Sequence, residues 1–285
     1  MTTVLAELEI PTTDGRALGA CWFEALGRPR GVVVLAPAMA TEATYYRHLA
    51  AWLRDRGLSV LLFDYTGYGW SSTGPLAEVE ADAMRWMLDA RDAGSYALER
   101  ADGLPVTWVG HSLGGQALGL ATHERFAGAV LISSGTGTWR YNAPKVRWQA
   151  PLLWKAIAPV AIGVSGYFPG KRLGVLGDLP PGVMRQWGRW CMKRDYLWTD
   201  FPELVAAYEA VTTPTVSLSF TDDELLADRS FRDLADRLPN AVVEVVRADP
   251  RDHGLRSIGH HGFFRKERAD LWESLLLPHL ATLPS

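Results

Sequence analysis

A chain of 285 residues with 48% hydrophobic and 21% charged side chains can fill a core, which excludes collagen-like, disordered and disulfide-stapled classes. A formal net charge of −3 offers no basic field for nucleic acid. The two cysteines, Cys21 and Cys191, suit a reducing compartment and give no metal-site spacing.

Residues 1–11 carry Glu7 and Glu9 and lack the basic start and apolar run of a secretory signal. The most apolar stretch, 151–168, is broken by Lys155, Pro159, Gly163 and Gly166, and a membrane span needs about 20 apolar residues. A cytoplasmic protein without a transmembrane segment is expected. Short β-branched runs alternate with helical patterns, the mark of a mainly parallel sheet covered on both faces. Residues 4–10 and 17–23 read as strands around the turn Thr13-Asp14-Gly15. Residues 31–36 read as a buried strand, followed by a helix near 43–56 capped by Gly57 and a strand over 58–63. A helix is expected over 78–91, where Val79, Ala83, Trp86 and Ala90 recur at three- and four-residue spacing. Strands over 105–109 and 129–132 flank a helix that begins near Leu113.

The pattern then changes. Residues 136–211 show no clear strand but hold Trp139, Trp148, Trp154, Trp187, Trp190 and Trp198 among many Pro and Gly. Strands resume over 215–220 and 242–246, with a helix near 229–238 between them and a last helix near 266–280. The expected architecture is an α/β core domain, 1–135 and 212–285, interrupted by a helical cap at 136–211. No repeat, low-complexity tract or flexible linker is evident.

The chemistry centres on Gly110-His111-Ser112-Leu113-Gly114-Gly115, a G-x-S-x-G placed between strand and helix. Glycines at 110 and 114 let strand and helix approach closely, so that Ser112 projects a hydroxyl above the sheet with a helix N-terminus beneath it. A serine hydroxyl needs a base and an orienting acid before it attacks. Of the seven histidines, those after the last strand can reach it. His279 lies in the terminal helix, His253 follows an acidic loop, and His260, flanked by Gly259, is favoured over its neighbour His261. The acid is expected after strand 215–220, where Asp222, Asp223 and Glu224 stand together and most must be solvated. The order Ser, Asp, His fits the strand–turn–helix elbow. Backbone N–H donors for an oxyanion are expected at Leu113 and, in the loop after strand 31–36, at Met39.

These pieces resemble the α/β-hydrolase superfamily, more narrowly hydrolases related to the serine aminopeptidase and monoglyceride-lipase-like groups. The resemblance is carried by Ala36-Pro-Ala-Met39 with Tyr45-Tyr-Arg47, by Phe63-Asp-Tyr-Thr-Gly-Tyr-Gly-Trp-Ser-Ser72, by the elbow, and by Ile258-Gly-His-His-Gly-Phe-Phe-Arg265. It implies the α/β-hydrolase fold, with a mostly parallel central sheet and a helical cap insertion. It also implies hydrolysis of esters, thioesters or amides without a cofactor. The superfamily's acid loop commonly runs G-x-x-D with a small residue four positions on; Phe220 stands in the Gly place, which makes Asp223 the match, and Asp222 stays its rival. Pro37-Ala38 stands where many relatives have His-Gly, and Thr66 where Arg is usual.

Asp64, beside Gly67-Tyr-Gly69, reads as a structural acid. Gly170-Lys171 fails as a phosphate loop because Ser165 and Arg172 break the pattern. Lys145, Arg147, Lys171, Arg172, Arg185 and Arg189 give the cap a basic side, read as solvated. The expected function is a cofactor-independent serine hydrolase that acts on a small-molecule substrate with a small to medium apolar acyl group. The alternatives are an acyltransferase with the same triad and a binding protein that keeps the fold without turnover. Dehalogenases and epoxide hydrolases would need Asp in place of Ser112. The sequence leaves a homo-oligomer open.

Overall fold

A computed structural model of the protein describes residues 6–283. Eight strands form one sheet: β1 Ala6–Pro11, β2 Ala17–Phe23, β3 Gly31–Ala36, β4 Leu58–Phe63, β5 Val106–His111, β6 Gly128–Ile132, β7 Thr215–Phe220 and β8 Val243–Ala248. Their order is β1-β2-β4-β3-β5-β6-β7-β8, with β2 antiparallel to both β1 and β4 and every other pair parallel. Of the first expected strand, Val4 and Leu5 lie outside the described residues. Every residue of β3, β4, β5, β6 and β7 is buried, because helices cover both faces. Alternation divides the side chains: Val32, Val34 and Ala36 join one apolar layer, Val33 and Leu35 the other. The chain leaves β3 toward β4 on one side and returns to β5 on the other. Such a reversal opens a crevice at the carboxyl ends of the strands.

Helices depart from their expected bounds for identifiable reasons. The helix after β3 opens as a 3-10 turn, Ala43–Tyr46, before α1, Arg47–Arg54. α2 covers Ala83–Arg100 rather than 78–91: Asp82 accepts from the Arg85 N–H at 2.8 Å and so sets the start, and the buried stripe continues through Ala93 and Ala97. The elbow helix α3, Leu113–Gln116, is a single turn followed by a 3-10 turn, Ala117–Leu120. The last expected helix breaks into short pieces that include a π turn, Trp272–Leu276, and a 3-10 turn, Leu277–His279. Pro278 lacks the N–H a regular helix requires there.

Residues 136–211 hold α4 Pro144–Leu152, a π turn Leu153–Ile157, α5 Ala158–Ser165, α6 Gly170–Leu173, α7 Pro181–Cys191 and α8 Leu204–Glu209. The two halves of this segment pack differently. Met184, Trp190, Leu197, Trp198, Tyr208 and Val211 are buried in the same apolar cluster as Trp86 and Leu118 of the sheet-covering layer. Gln186 ties α7 to α2, with Oε1 accepting from Met84 N–H at 2.7 Å and Nε2 donating to Asp82 at 2.8 Å. By contrast α4 buries only Ala150, and α5 only Ala158 and Ile162. α9, Asp228–Ala235, covers β7.

Close packing at the elbow gives a direct test. A methyl group on Gly114 would meet the Ala36 backbone carbonyl and come within 2.8 Å of its Cβ. Gly114→Ala is expected to cost about 1–3 kcal/mol, read as a melting temperature several degrees below wild type. An unchanged melt would show that β3 and α3 are not in contact.

Candidate active site

β5 ends at His111 and α3 begins at Leu113, so one residue, Ser112, makes the whole turn, with φ 52° and ψ −111°. That backbone is strained for any residue with a side chain, and its surroundings hold it. Ser112 N–H donates to Ile132 O at 3.0 Å, while Ser112 O accepts from Gly115 N–H at 3.1 Å and Gln116 N–H at 3.3 Å. From Val106 to Gly119 every residue is buried except Ser112. Its hydroxyl is the group this turn shows to the outside. A four-residue α3 carries little macrodipole, so anion stabilisation here falls to individual N–H groups rather than to the helix as a whole. Among the described residues the Leu113 and Met39 amides have no protein acceptor, and both residues are buried. The loop carrying Met39 is fixed by Tyr65 Oη donating to Pro37 O at 2.6 Å and by Ala38 N–H donating to Tyr46 Oη at 2.9 Å.

The acidic loop after β7 is more occupied than expected. Asp223 is buried; its Oδ2 lies 2.8 Å from His260 Nδ1 and its Oδ1 accepts from Leu225 and Leu226 N–H, both at 2.9 Å. Asp222 faces the other way along the same loop and accepts from Ile258 N–H at 2.9 Å and Gly259 N–H at 3.1 Å. Glu224 accepts from His260 N–H at 2.9 Å. All three carboxylates accept hydrogen bonds, yet only Asp223 is buried; Asp222 is half-buried and Glu224 exposed. The histidine loop runs alongside with its amide groups turned toward them, and Gly259, at φ 66°, makes the bend.

His260 and His261 diverge. The His261 ring turns to Thr41, with Nε2 3.5 Å from Oγ1, and its carbonyl accepts from Tyr45 Oη at 2.7 Å. No hydrogen bond joins Ser112 Oγ to His260 Nε2 among the described residues. In unliganded sites such contacts commonly tighten only when substrate arrives. His279 lies with its carbonyl near Gly128, at the start of β6 and the opposite end of the strands from Ser112; His253 ends a 3-10 turn, Pro250–His253. Asp64 is structural: Oδ1 accepts from Ala43 N–H at 2.8 Å, Oδ2 from Trp70 N–H at 2.9 Å, and burial pushes its carboxyl up to about 6. A cavity of about 670 Å³ near Trp22 and Arg100 opens at the far end of the sheet and touches none of these groups.

Sequence reasoning missed His111 and Tyr46. His111 is fully buried, with Nδ1 2.8 Å from Tyr46 Oη and Nε2 3.0 Å from His260 O. A carbonyl can only accept, so Nε2 carries the proton. Tyr46 Oη, which already accepts from Ala38, then donates to Nδ1. Burial holds the His111 imidazole neutral, far below its ordinary titration range. One chain of hydrogen bonds thus joins the Met39 loop, the elbow and the His260 backbone. Only the position of His111 beside Ser112 could have signalled it.

The family model described as "Serine aminopeptidase, S33" matches residues 27–167. A monoacylglycerol lipase of Mycolicibacterium smegmatis is 31% identical over 183 residues, 64% of this chain and 55% of that protein. A human monoglyceride lipase is 30% identical over 123 residues, 42% of this chain and 40% of that protein. The chain spans about half the length of the curated relatives it matches. A soluble variant of monoglyceride lipase from Saccharomyces cerevisiae, solved with a substrate analog, superposes with a TM-score of 0.66 at 18% identity, covering 96% of this chain and 95% of that one.

The cluster has a pH signature. His261 is pushed down to about 4, first by burial and then by His260. The unfolded chain takes up a proton near the ordinary 6.5, so the folded state loses stability as pH falls from 6.5 toward 4, by about 3 kcal/mol at the limit. The melting-temperature difference between wild type and His261→Asn should therefore shift toward the variant by several degrees between pH 7 and pH 4.5. A difference that stays constant with pH would show that His261 titrates normally.

Proposed function

We propose that this chain, an α/β-hydrolase related to the monoglyceride-lipase-like groups, is a cytoplasmic serine hydrolase that cleaves the ester of an apolar acyl group through an acyl-enzyme. The observation that carries this reading is the pairing of a half-buried serine on a strained elbow with a buried Asp223–His260 couple at 2.8 Å. In it, Ser112 Oγ attacks the substrate carbonyl as its proton passes to His260 Nε2. Asp223 holds Nδ1–H and stabilises the imidazolium that forms. The Leu113 and Met39 N–H groups receive the oxyanion. Collapse of the tetrahedral adduct expels the alcohol, which takes the proton from His260, and water activated by the same imidazole then releases the acid. Asp222 and Glu224 hold the loop that presents His260. Monoacylglycerol esters are the preferred substrate class, because two relatives are monoacylglycerol lipases; thioesters and amides pass through the same steps.

Residues 136–211 act as the cap in this reading. Support comes from how they are attached: Ala143 N–H donates to Leu225 O at 2.9 Å and Ala227 N–H to Tyr141 O at 3.1 Å, two and four residues past the acid. Gly177 lies against Ala40 of the Met39 loop. Trp190 and Trp198 are packing residues, whereas Trp139, Trp154 and Trp187 are half-buried and available to line a cleft.

Ser112→Ala should abolish both ester turnover and labelling by a fluorophosphonate while the fold persists. His260→Ala should cost at least about a hundredfold in kcat and His261→Ala far less; Asp223→Asn should cost more than Asp222→Asn. Persistent labelling of the Ser112 variant would remove the nucleophile assignment, and a reversed ranking within either pair would move the role to its neighbour. Wild-type protein that never labels would favour a binding protein.

Each methylene buried in an apolar cleft adds about 0.8 kcal/mol, or roughly fourfold in affinity. Across C2–C12 p-nitrophenyl esters, kcat/KM should rise from acetyl to medium chains, mostly through KM. A steady fall from C2 would show a small pocket closed by the cap.

A further inference from the structure

β8 ends the sheet, and among the described residues no strand lies beyond it. Its bonding to β7 fixes which groups face out. Thr215 N–H donates to Val242 O at 2.9 Å and Thr221 N–H to Ala248 O at 3.0 Å. In a parallel pair alternate residues bond the neighbour, so Glu244 and Val246 also hold β7, while Val243, Val245 and Arg247 turn N–H and C=O outward. Such a row is a template for another strand, and proteins usually blunt it with proline, a bulge or a covering loop. Among the described residues β8 has none of these. Its register to β7 runs unbroken from Val243 to Ala248, and Val242 is 79% exposed and Val245 48%. Its charges do not guard the edge either: Glu244 reaches His279 at 3.9 Å on one face, and Arg247 reaches Asp228 at 3.4 Å on the other.

This edge fits a copy of itself. A two-fold axis perpendicular to the sheet runs two β8 strands antiparallel and sets each residue before the axis opposite the one equally far beyond it. Bonds form only where an outward residue meets an outward residue. With the axis at Val245, that residue faces its own copy and Val243 faces Arg247 on both sides, so all three outward residues of each strand are paired. An axis at Glu244 leaves Arg247 unpaired and sets carboxylate against carboxylate, which is unfavourable. An axis at Val246 carries Val243 past the end of the other strand. The Val245 register also leaves room. α9 is set back over β7, so the two α9 helices stand three strand spacings apart, about 14 Å, clear of the roughly 8–10 Å at which helices pack.

We propose that β8 pairs with β8 of a second copy of the chain about an axis at Val245, making a homodimer with one sheet continuous through both molecules. The axis reverses strand direction, so the crevices beside the two Ser112 turns open at opposite ends of the joined sheet and neither is covered. Association is independent of the proposed reaction and is measured without turnover.

The test is sedimentation velocity of the full chain. A species of twice 31.4 kDa should grow with concentration and dominate by about 100 μM, as a small interface allows. Val245→Lys sets two ammonium groups opposite each other and should weaken association at least about tenfold, as should Val245→Glu. An equimolar mixture of the two variants should recover the dimer, which damage to the fold could not do. Val245→Cys should cross-link on mild oxidation, because a hydrogen-bonded pair holds its Cα atoms about 5.5 Å apart, within a disulfide's reach. Val243→Cys should not, since its copy lies four residues along the strand, about 14 Å away. A chain that stays monomeric leaves the edge to some other strand and overturns the proposal. So do assembly that grows beyond a dimer, a dimer that persists in both charge variants, and cross-linking at 243 rather than 245.

Discussion

The candidate site depends on a buried imidazole that has no place in the proposed chemistry. His111 sits one residue before the elbow serine and is hydrogen-bonded on both nitrogens, to Tyr46 Oη and to His260 O. Because the tyrosine also receives the Ala38 N–H, three loops that are distant in sequence share one proton-ordered chain. The order has only one consistent direction, since a carbonyl at one end cannot donate and an amide at the other cannot accept. Burial keeps the imidazole neutral, so the chain does not reverse or charge within ordinary pH. The Ser112 turn, the Met39 loop and the His260 loop are therefore placed relative to one another by one chain of hydrogen bonds, which is the preorganisation the proposed reaction requires.

A second brace holds the histidine loop from the side of β7. Three successive carboxylates in the turn after β7 divide their tasks: the middle one takes the imidazole, and its neighbours take backbone amides of residues 258–260. A neutral amide side chain at 222 or 224 would still accept one hydrogen bond but would lose the charge that makes such bonds strong. The couple between Asp223 and His260 is thus surrounded by the interactions that keep the two loops in register.

Much of this was legible in residue order. Strands β2, β3, β4 and β7 sit where short runs bounded by turn residues predict them, and the elbow was evident because glycines at 110 and 114 let strand and helix approach closely. Helix limits were less legible. The α2 start depends on Asp82 acting as a cap to Arg85 N–H, and its end on alanines whose burial is visible only once α2 meets the sheet. The π turns at 153–157 and 272–276 have no period of their own and read as ordinary helix. At the site, residue order supplied the pairs Asp222/Asp223 and His260/His261 but could say little about which member faces inward, because a loop's φ and ψ decide that. The role of Tyr46, which stands in the Tyr45-Tyr-Arg47 run, was invisible for a simpler reason. It lies in a helical run near the chain's start and meets His111 only through the fold.

The uneven anchoring of the 136–211 segment has a consequence for how such a protein can change over generations. Its second half shares side chains with the central apolar cluster, so substitutions there are judged by the stability of the whole molecule. The stretch 144–165, from α4 through α5, contributes three buried residues to the fold and is nearly free of that constraint. Mutations can accumulate along its outer face at almost no thermodynamic cost and leave the elbow and its two braces untouched. What that outer face meets can drift independently of the site around Ser112.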